Sequence, residues 1–238
     1  TWHRRLDGRR LAQLALDAAK ASGDARQLRD AERLVADGPD KPFLDVAMWD
    51  AQRLLAVGAY GIALHSADGG QTWSVWMNRL PNPKGLHIYV LRRQGSTMLL
   101  AGEQGLLMRS DDDGATFKPL VSPYRGSWFA GEVLPSGEWV LGGLRGNIWR
   151  SGDQGVTWTQ MSVPMSASVT GMAVGASGEL LVANQAGHVL RRAGDRLVPT
   201  TPEALAPLAG LSPLPGGELL TYGVAGLAVM GGSSASGR

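Results

Sequence analysis

Ser66-Ala67-Asp68-Gly69-Gly70-Gln71-Thr72-Trp73, Ser110-Asp111-Asp112-Asp113-Gly114-Ala115-Thr116-Phe117 and Ser151-Gly152-Asp153-Gln154-Gly155-Val156-Thr157-Trp158 share one pattern. Each reads S-x-D-x-G-x-T-aromatic, and their first serines lie 44 and 41 residues apart. A period near 40 residues marks a repeat architecture. Ahead of each box stands an apolar run that ends in a G-x-x-G turn: Leu54–Gly58 to Gly61, Met98–Gly102 to Gly105, and Trp139–Gly143 to Gly146. Two further units, Leu180–Asn184 to Gly187 and Leu219–Gly223 to Gly226, keep that run and turn but lose the box. Each unit opens on another apolar run, such as Phe43–Trp49, Leu86–Leu91 or Trp128–Leu134.

Four short strands in about 40 residues is the size of a β-propeller blade. The chain is therefore expected to be all-β, with five propeller blades visible at about 39–80, 84–121, 126–163, 167–199 and 206–231. A propeller that does not close leaves sheet edges open, so either the ring has about seven blades, with roughly two upstream, or the missing part is supplied by another chain. Within a blade the box falls between the third and fourth strands. Its Asp suits an Asx-type turn, its Gly permits positive φ, and its aromatic residue fills the seam between sheets. A structural role is thus expected for Ser66, Asp68, Gly70 and Trp73, for Ser110, Asp112, Gly114 and Phe117, and for Ser151, Asp153, Gly155 and Trp158.

Residues 8–38 follow another rule. Leu11, Leu14, Ala15 and Ala18, then Leu28, Ala31, Leu34 and Val35, recur at helical spacing. Asp7 and Asp24 stand at cap positions, Gln27 completes a capping box, and Gly38-Pro39 stops the run. The prediction is a helical hairpin inserted between blades. Thr1-Trp2 repeats the end of a box, so residues 1–7 are expected as the last strand of an earlier blade. Residues 232–238, rich in Gly and Ser, read as a disordered tail.

The chain has 238 residues, a net charge of +2 and no cysteine. The charge balance gives no reason to expect nucleic acid, and disulfides and thiol chemistry are excluded. No apolar run approaches the ~20 residues of a membrane span. Asp111-Asp112-Asp113-Gly114 lacks the alternating ligands and distant Glu of a calcium loop. His3, His65, His87 and His188 show no metal spacing, and no nucleophile or nucleotide motif occurs, so neither metal nor cofactor is expected. Boxes of this kind occur in sialidases and other glycosidases. A glycosidase needs two carboxyl groups within about 5–10 Å of one another, whereas aspartates at equivalent places in different blades lie apart. A carbohydrate-active or sialic-acid-binding propeller is the alternative reading, and a non-enzymatic binding module the preferred one.

A binding surface is expected where the units differ most, in the middle of the G-x-x-G turns. These turns gather at one end of a propeller, which places Tyr60, Gln104 and Arg145 on one face. The loop Ser122–Trp128 adds Tyr124, Arg125 and Trp128, residue types enriched at protein interfaces. The other reading of these three is that Tyr124 and Trp128 pack between blades while Arg125 solvates a loop.

The run Leu54–Gly61, followed by Ser66–Trp73, resembles the photosystem II stability/assembly factor family, and the likeness extends over residues 39 to about 231. Gly38–Val46, Val57–Gly61, Ala101–Gly105 and Gly143–Gly146 are most similar to its proteobacterial branch. The resemblance implies a seven-bladed assembly chaperone. For the proteobacterial branch it implies a periplasmic location and docking, peripheral to the membrane, on an inner-membrane exporter of the resistance-nodulation-division (RND) class. It also implies an arginine-bearing client face, to which Arg125 and Arg145 correspond here. Loss of the box in the last two units departs from the family pattern.

Overall fold

The computed structural model describes residues 3–231. Thr1-Trp2 and the tail 232–238, for which expectations are given above, lie outside them. Helices α1 (Gly8–Ser22) and α2 (Ala25–Asp37) come first. Asp7 accepts the Arg10 N–H and Asp24 accepts those of Arg26 and Gln27, while Gly23 turns the chain in the left-handed region. Ala15 and Ala19 of α1 meet Ala31 of α2, with Leu28 and Leu34 beside them.

Among the described residues, nineteen strands in five sheets follow. The first sheet holds β1 (Phe43–Met48), β2 (Leu54–Gly58), β3 (Ala63–Ser66) and β4 (Ser74–Val75), paired in that order. The second holds β5 (Ile88–Gln94), β6 (Thr97–Gly102), β7 (Leu107–Ser110) and β8 (Lys118–Pro119). The third holds β9 (Trp128–Val133), β10 (Trp139–Gly143), β11 (Ile148–Ser151) and β12 (Thr159–Gln160). The fourth holds β13 (Val169–Val174), β14 (Leu180–Asn184), β15 (Val189–Ala193) and β16 (Arg196–Pro199). The fifth has three strands, β17 (Leu208–Pro213), β18 (Leu219–Gly223) and β19 (Gly226–Met230). Every pairing within the sheets is antiparallel, and β1, β5, β9, β13 and β17 touch one another in succession. Sheets that fan about their first strands are propeller blades. No comparable contact among the described residues joins β17 to β1.

Second strands are apolar on both faces because both faces are covered. Residues of β6, β10 and β14 are buried throughout. Leu55 and Val57 pack against Leu91, Leu100 and Met108 across the first seam. Val90 and Leu99 meet Trp139 and Leu141 across the second. Each buried side chain of this size contributes about 1.5–3 kcal/mol. On its other side the first blade offers Ile62, Leu64 and Trp73, which are covered by Leu11, Leu14 and Leu34 of the helices. The helix pair thus fills part of the place a neighbouring blade takes elsewhere. Leu44, Val46 and Met48 on β1, and Tyr222, Leu227 and Val229 on the fifth blade, remain exposed.

Residues 3–7 hold no strand, contrary to the expectation for that segment. Among the described residues no sheet of a preceding blade is present to pair with them. Leu6 instead packs into the helix–blade cluster, and Arg4 reaches the capping Asp7 at 3.4 Å.

The G-x-x-G turn has a steric origin. A Cβ on the first glycine would lie 2.3 Å from the Pro42 carbonyl at Gly58, 2.0 Å from that of His87 at Gly102, and 2.3 Å from that of Ser127 at Gly143. The second glycine is left-handed and abuts the loop to the next blade: a Cβ on Gly105 (φ +76°) would meet the Tyr124 carbonyl at 2.5 Å. Gly105→Ala should therefore cost at least about 2 kcal/mol in urea unfolding. Gly152→Ala, with nothing within 4 Å, should stay within about 0.5 kcal/mol of the parent.

Candidate functional site

The turn tips decide the character of one end of the fan. Residues 59–62, 103–106 and 144–147 form tight hairpins whose central pairs are Tyr60-Gly61, Gln104-Gly105 and Arg145-Gly146. Both central residues are left-handed, with φ of 56°, 54° and 55° at Tyr60, Gln104 and Arg145. Such turns favour Asn or Gly at that place. Here they carry three long side chains, and all three are exposed.

Loops between blades lace these tips together. The Gln104 N–H donates to Ser127 Oγ at 3.4 Å and the Arg145 N–H to Ser168 Oγ at 3.3 Å. The Tyr124 hydroxyl donates to the Leu144 carbonyl at 3.4 Å, and Arg125 lies directly beside Gly105. Gln104, Tyr124, Arg125 and Arg145 are therefore one connected patch over the second and third blades. Tyr60 stands one blade away, 60% exposed, with Lys41 over its ring and His87 against its edge. Neither Arg125 nor Arg145 is paired with a carboxylate among the described residues.

Trp128 does not belong to this surface, contrary to the expectation for it. It is 0% exposed and sits in the seam between the second and third blades with Trp139 and Leu141. It is the first residue of β9, and that strand is covered by its neighbours. Tyr124 packs edge-on against it, centroids 5.2 Å apart, so only part of Tyr124 is available to a partner.

The three boxes are closed turns. Ser110 Oγ donates to Asp112 Oδ1 at 2.8 Å and accepts the Gly114 N–H at 2.8 Å, while Thr116 donates its N–H and hydroxyl to Asp112. The same set recurs at Asp68 and Asp153. Phe117 and Trp158 pack into the first and second seams, and Trp73 into the seam under the helices. These bonds, chiefly from Thr72, Thr116 and Thr157, hold the three carboxyls down from 3.8 to about 2. No group of three or more His, Asp or Glu side chains among the described residues gathers at metal distance.

A charged network absent from the sequence reading crosses the inner strands. Arg92 on β5 donates to Asp45 of β1 at 2.6 Å and to the Gly131 carbonyl of β9 at 2.7 Å, and lies 3.3 Å from Glu132. Asp45 also accepts the Leu91 N–H at 2.8 Å. Burial raises the Glu132 carboxyl and Arg92 partly offsets that. One guanidinium therefore ties three blades at their inner edge.

No protein-family model and no curated protein matches the chain. Among solved structures it is similar to YCF48 bound to a D1 peptide, at 20% identity and a TM-score of 0.66 over 80% of this chain and 63% of that one. It is also similar to YCF48 from Cyanidioschyzon merolae, at 15% identity and 0.63 over 80% and 67%. Virginiamycin B lyase from Staphylococcus aureus matches at 14% and 0.64 over 80% and 69%, so enzymes share the architecture. The chain spans a little under two thirds of the first of these proteins. At such identities the likeness concerns the fold, and the fold is a β-propeller.

Arg92→Met should cost about 3 kcal/mol, because Asp45 and Glu132 lose their shared cation; chemical denaturation measures it. The box carboxylates have folded-state values below their unfolded ones. Their contribution is therefore present above pH 3.8 and lost as the pH falls toward about 2. Asp112→Ala should lower the melting temperature at pH 7, and the gap to the parent should close near pH 2.

Proposed function

We propose that this chain is a non-enzymatic, protein-binding propeller of the periplasm. In this reading it docks on an inner-membrane RND-type exporter complex, peripheral to the membrane, and helps that complex assemble or operate. The reading takes it as a relative of the photosystem II stability/assembly factors with Asp-box (BNR) repeats, in their proteobacterial branch. It also takes the five blades as part of a ring of about seven, with further blades against the exposed faces of β1 and the fifth sheet.

The observation that carries the binding role is the backbone at Tyr60, Gln104 and Arg145. Three equivalent turns keep long side chains where Asn or Gly would be more stable, a pattern associated with function rather than folding. Arg145 and the neighbouring Arg125, neither paired with a carboxylate among the described residues, suit an acidic stretch of another protein. YCF48, similar in fold, is seen with a D1 peptide, which supports peptide binding by this architecture. The box carboxylates are engaged in their own turns, which favours a binding role over glycoside chemistry.

The test is affinity capture from native membranes with identification by mass spectrometry. The parent should retain an RND-class exporter. Arg145→Asn combined with Arg125→Glu should lose it, while the melting temperature stays level, since Asn suits the left-handed turn. Undiminished capture by the double variant would overturn the assigned face, and absence of any such exporter from the parent would overturn the partner.

A further inference from the structure

Each inner strand pairs with its second strand through one extra residue at the same place. The register skips Leu44, Tyr89, Phe129, Thr170 and Ala209. A bulge re-aims the side chain of the extra residue. In the first three blades that residue is large and apolar; in the last two it is small. Tyr89 and Phe129 meet edge to face, centroids 5.3 Å apart. His87 lies edge-on to Tyr89 at 6.0 Å and to Tyr60 at 4.9 Å. Four rings from three blades thus form a continuous ledge along the end that carries the turns, with Tyr60 its most open member.

Glu103 stands at the edge of this ledge, its side chain 32% exposed. It accepts the His87 N–H at 3.2 Å, and the His87 ring nitrogen Nδ1 is 4.0 Å away and 3.2 Å from the Tyr89 hydroxyl. Its charge also reaches Tyr89, whose hydroxyl is raised by burial first and by Glu103 second. Asp45, Glu132 and Glu138, also half-buried, have arginines: Asp45 and Glu132 share Arg92, and Glu138 has Arg150 and Arg192. Glu103 has no lysine or arginine within salt-bridge reach among the described residues. Lys41, the cation over the Tyr60 ring, is held by Asp37 and Asp40.

A carboxylate with no lysine or arginine in reach among the described residues, set beside the His87 and Tyr89 end of an aromatic ledge, has the chemistry of a site for a positive side chain. We propose that Tyr60, His87, Tyr89, Phe129 and Glu103 form a socket for a lysine or arginine side chain of the bound protein segment. The inference rests on the protein-binding reading above and sharpens it. Arg125 and Arg145 offer positive charge farther along the same end. A segment lying across both would set a basic side chain on the aromatic ledge and acidic ones over Arg125 and Arg145, which fixes its direction.

The test uses the chain itself and needs no membrane partner. N-acetylargininamide is titrated into the ¹⁵N-labelled protein, with N-acetylglutaminamide as the neutral control. Saturable shifts are expected at Tyr60, His87, Tyr89, Glu103 and Phe129 with the arginine probe and not with the control. Glu103→Gln should weaken that binding roughly tenfold with a thermal melt matching the parent, and Tyr89→Leu should weaken it as well. Arg125→Glu should leave it unchanged, so a failure of membrane capture and a failure of this site can be told apart. Equal shifts from both probes, no saturation, or undiminished binding by Glu103→Gln would overturn the proposal.

Discussion

Burial of both faces of each blade against its neighbours is the constraint on which the rest of the molecule depends. A single sheet of three or four short strands, some only two residues long, has little to hold it in water. Stacked in a fan, the second strands β6, β10 and β14 are enclosed on both sides, and residues such as Leu100, Trp139 and Val182 are entirely buried. The helix pair obeys the same requirement. Its leucines cover Ile62, Leu64 and Trp73, a face that would otherwise meet water.

Strand pairing within each blade, together with the loop that leads into the next, brings chains close together at the turns, and that closeness explains the paired glycines. The carbonyl that precedes each first strand passes where a Cβ would stand on Gly58, Gly102 and Gly143. The loop entering the next blade passes just as near the second glycine at Gly105 and Gly146. Between them sits one exposed left-handed position per turn, at Tyr60, Gln104 and Arg145. The fold thereby supplies a row of sites whose side chains can change without disturbing packing. Arg92 acts on the same edge from inside, joining three blades through Asp45, Gly131 and Glu132.

Much of the architecture was legible from spacing. The boxes, the G-x-x-G turns and the helical periodicity of residues 8–37 each have a local cause, a turn geometry or an amphipathic face, so they leave a mark on a single stretch of chain. The exposed tips Tyr60, Gln104 and Arg145 could be placed for that reason. Trp128 could not, since an aromatic residue after a loop reads equally as a contact or as seam packing, and the neighbouring blade decides. The aromatic ledge was missed although Phe43-Leu44-Asp45, Ile88-Tyr89-Val90 and Trp128-Phe129-Ala130 align by repeat. Read as apolar runs they look like core, and the bulge that turns the middle residue outward appears only in the pairing.

By itself, then, the sequence determined the repeat, the five blades, the helix pair and the turns that close on themselves, because those features are set by neighbours within a few residues. Tertiary structure alone decided that Arg92 bridges Asp45 and Glu132, that Glu103 stands against His87 with no lysine or arginine in reach among the described residues, and that one face of β1 and the outer face of the fifth blade stay open. Charge pairing and exposure depend on what lies across a seam, and that information is distributed over the whole chain.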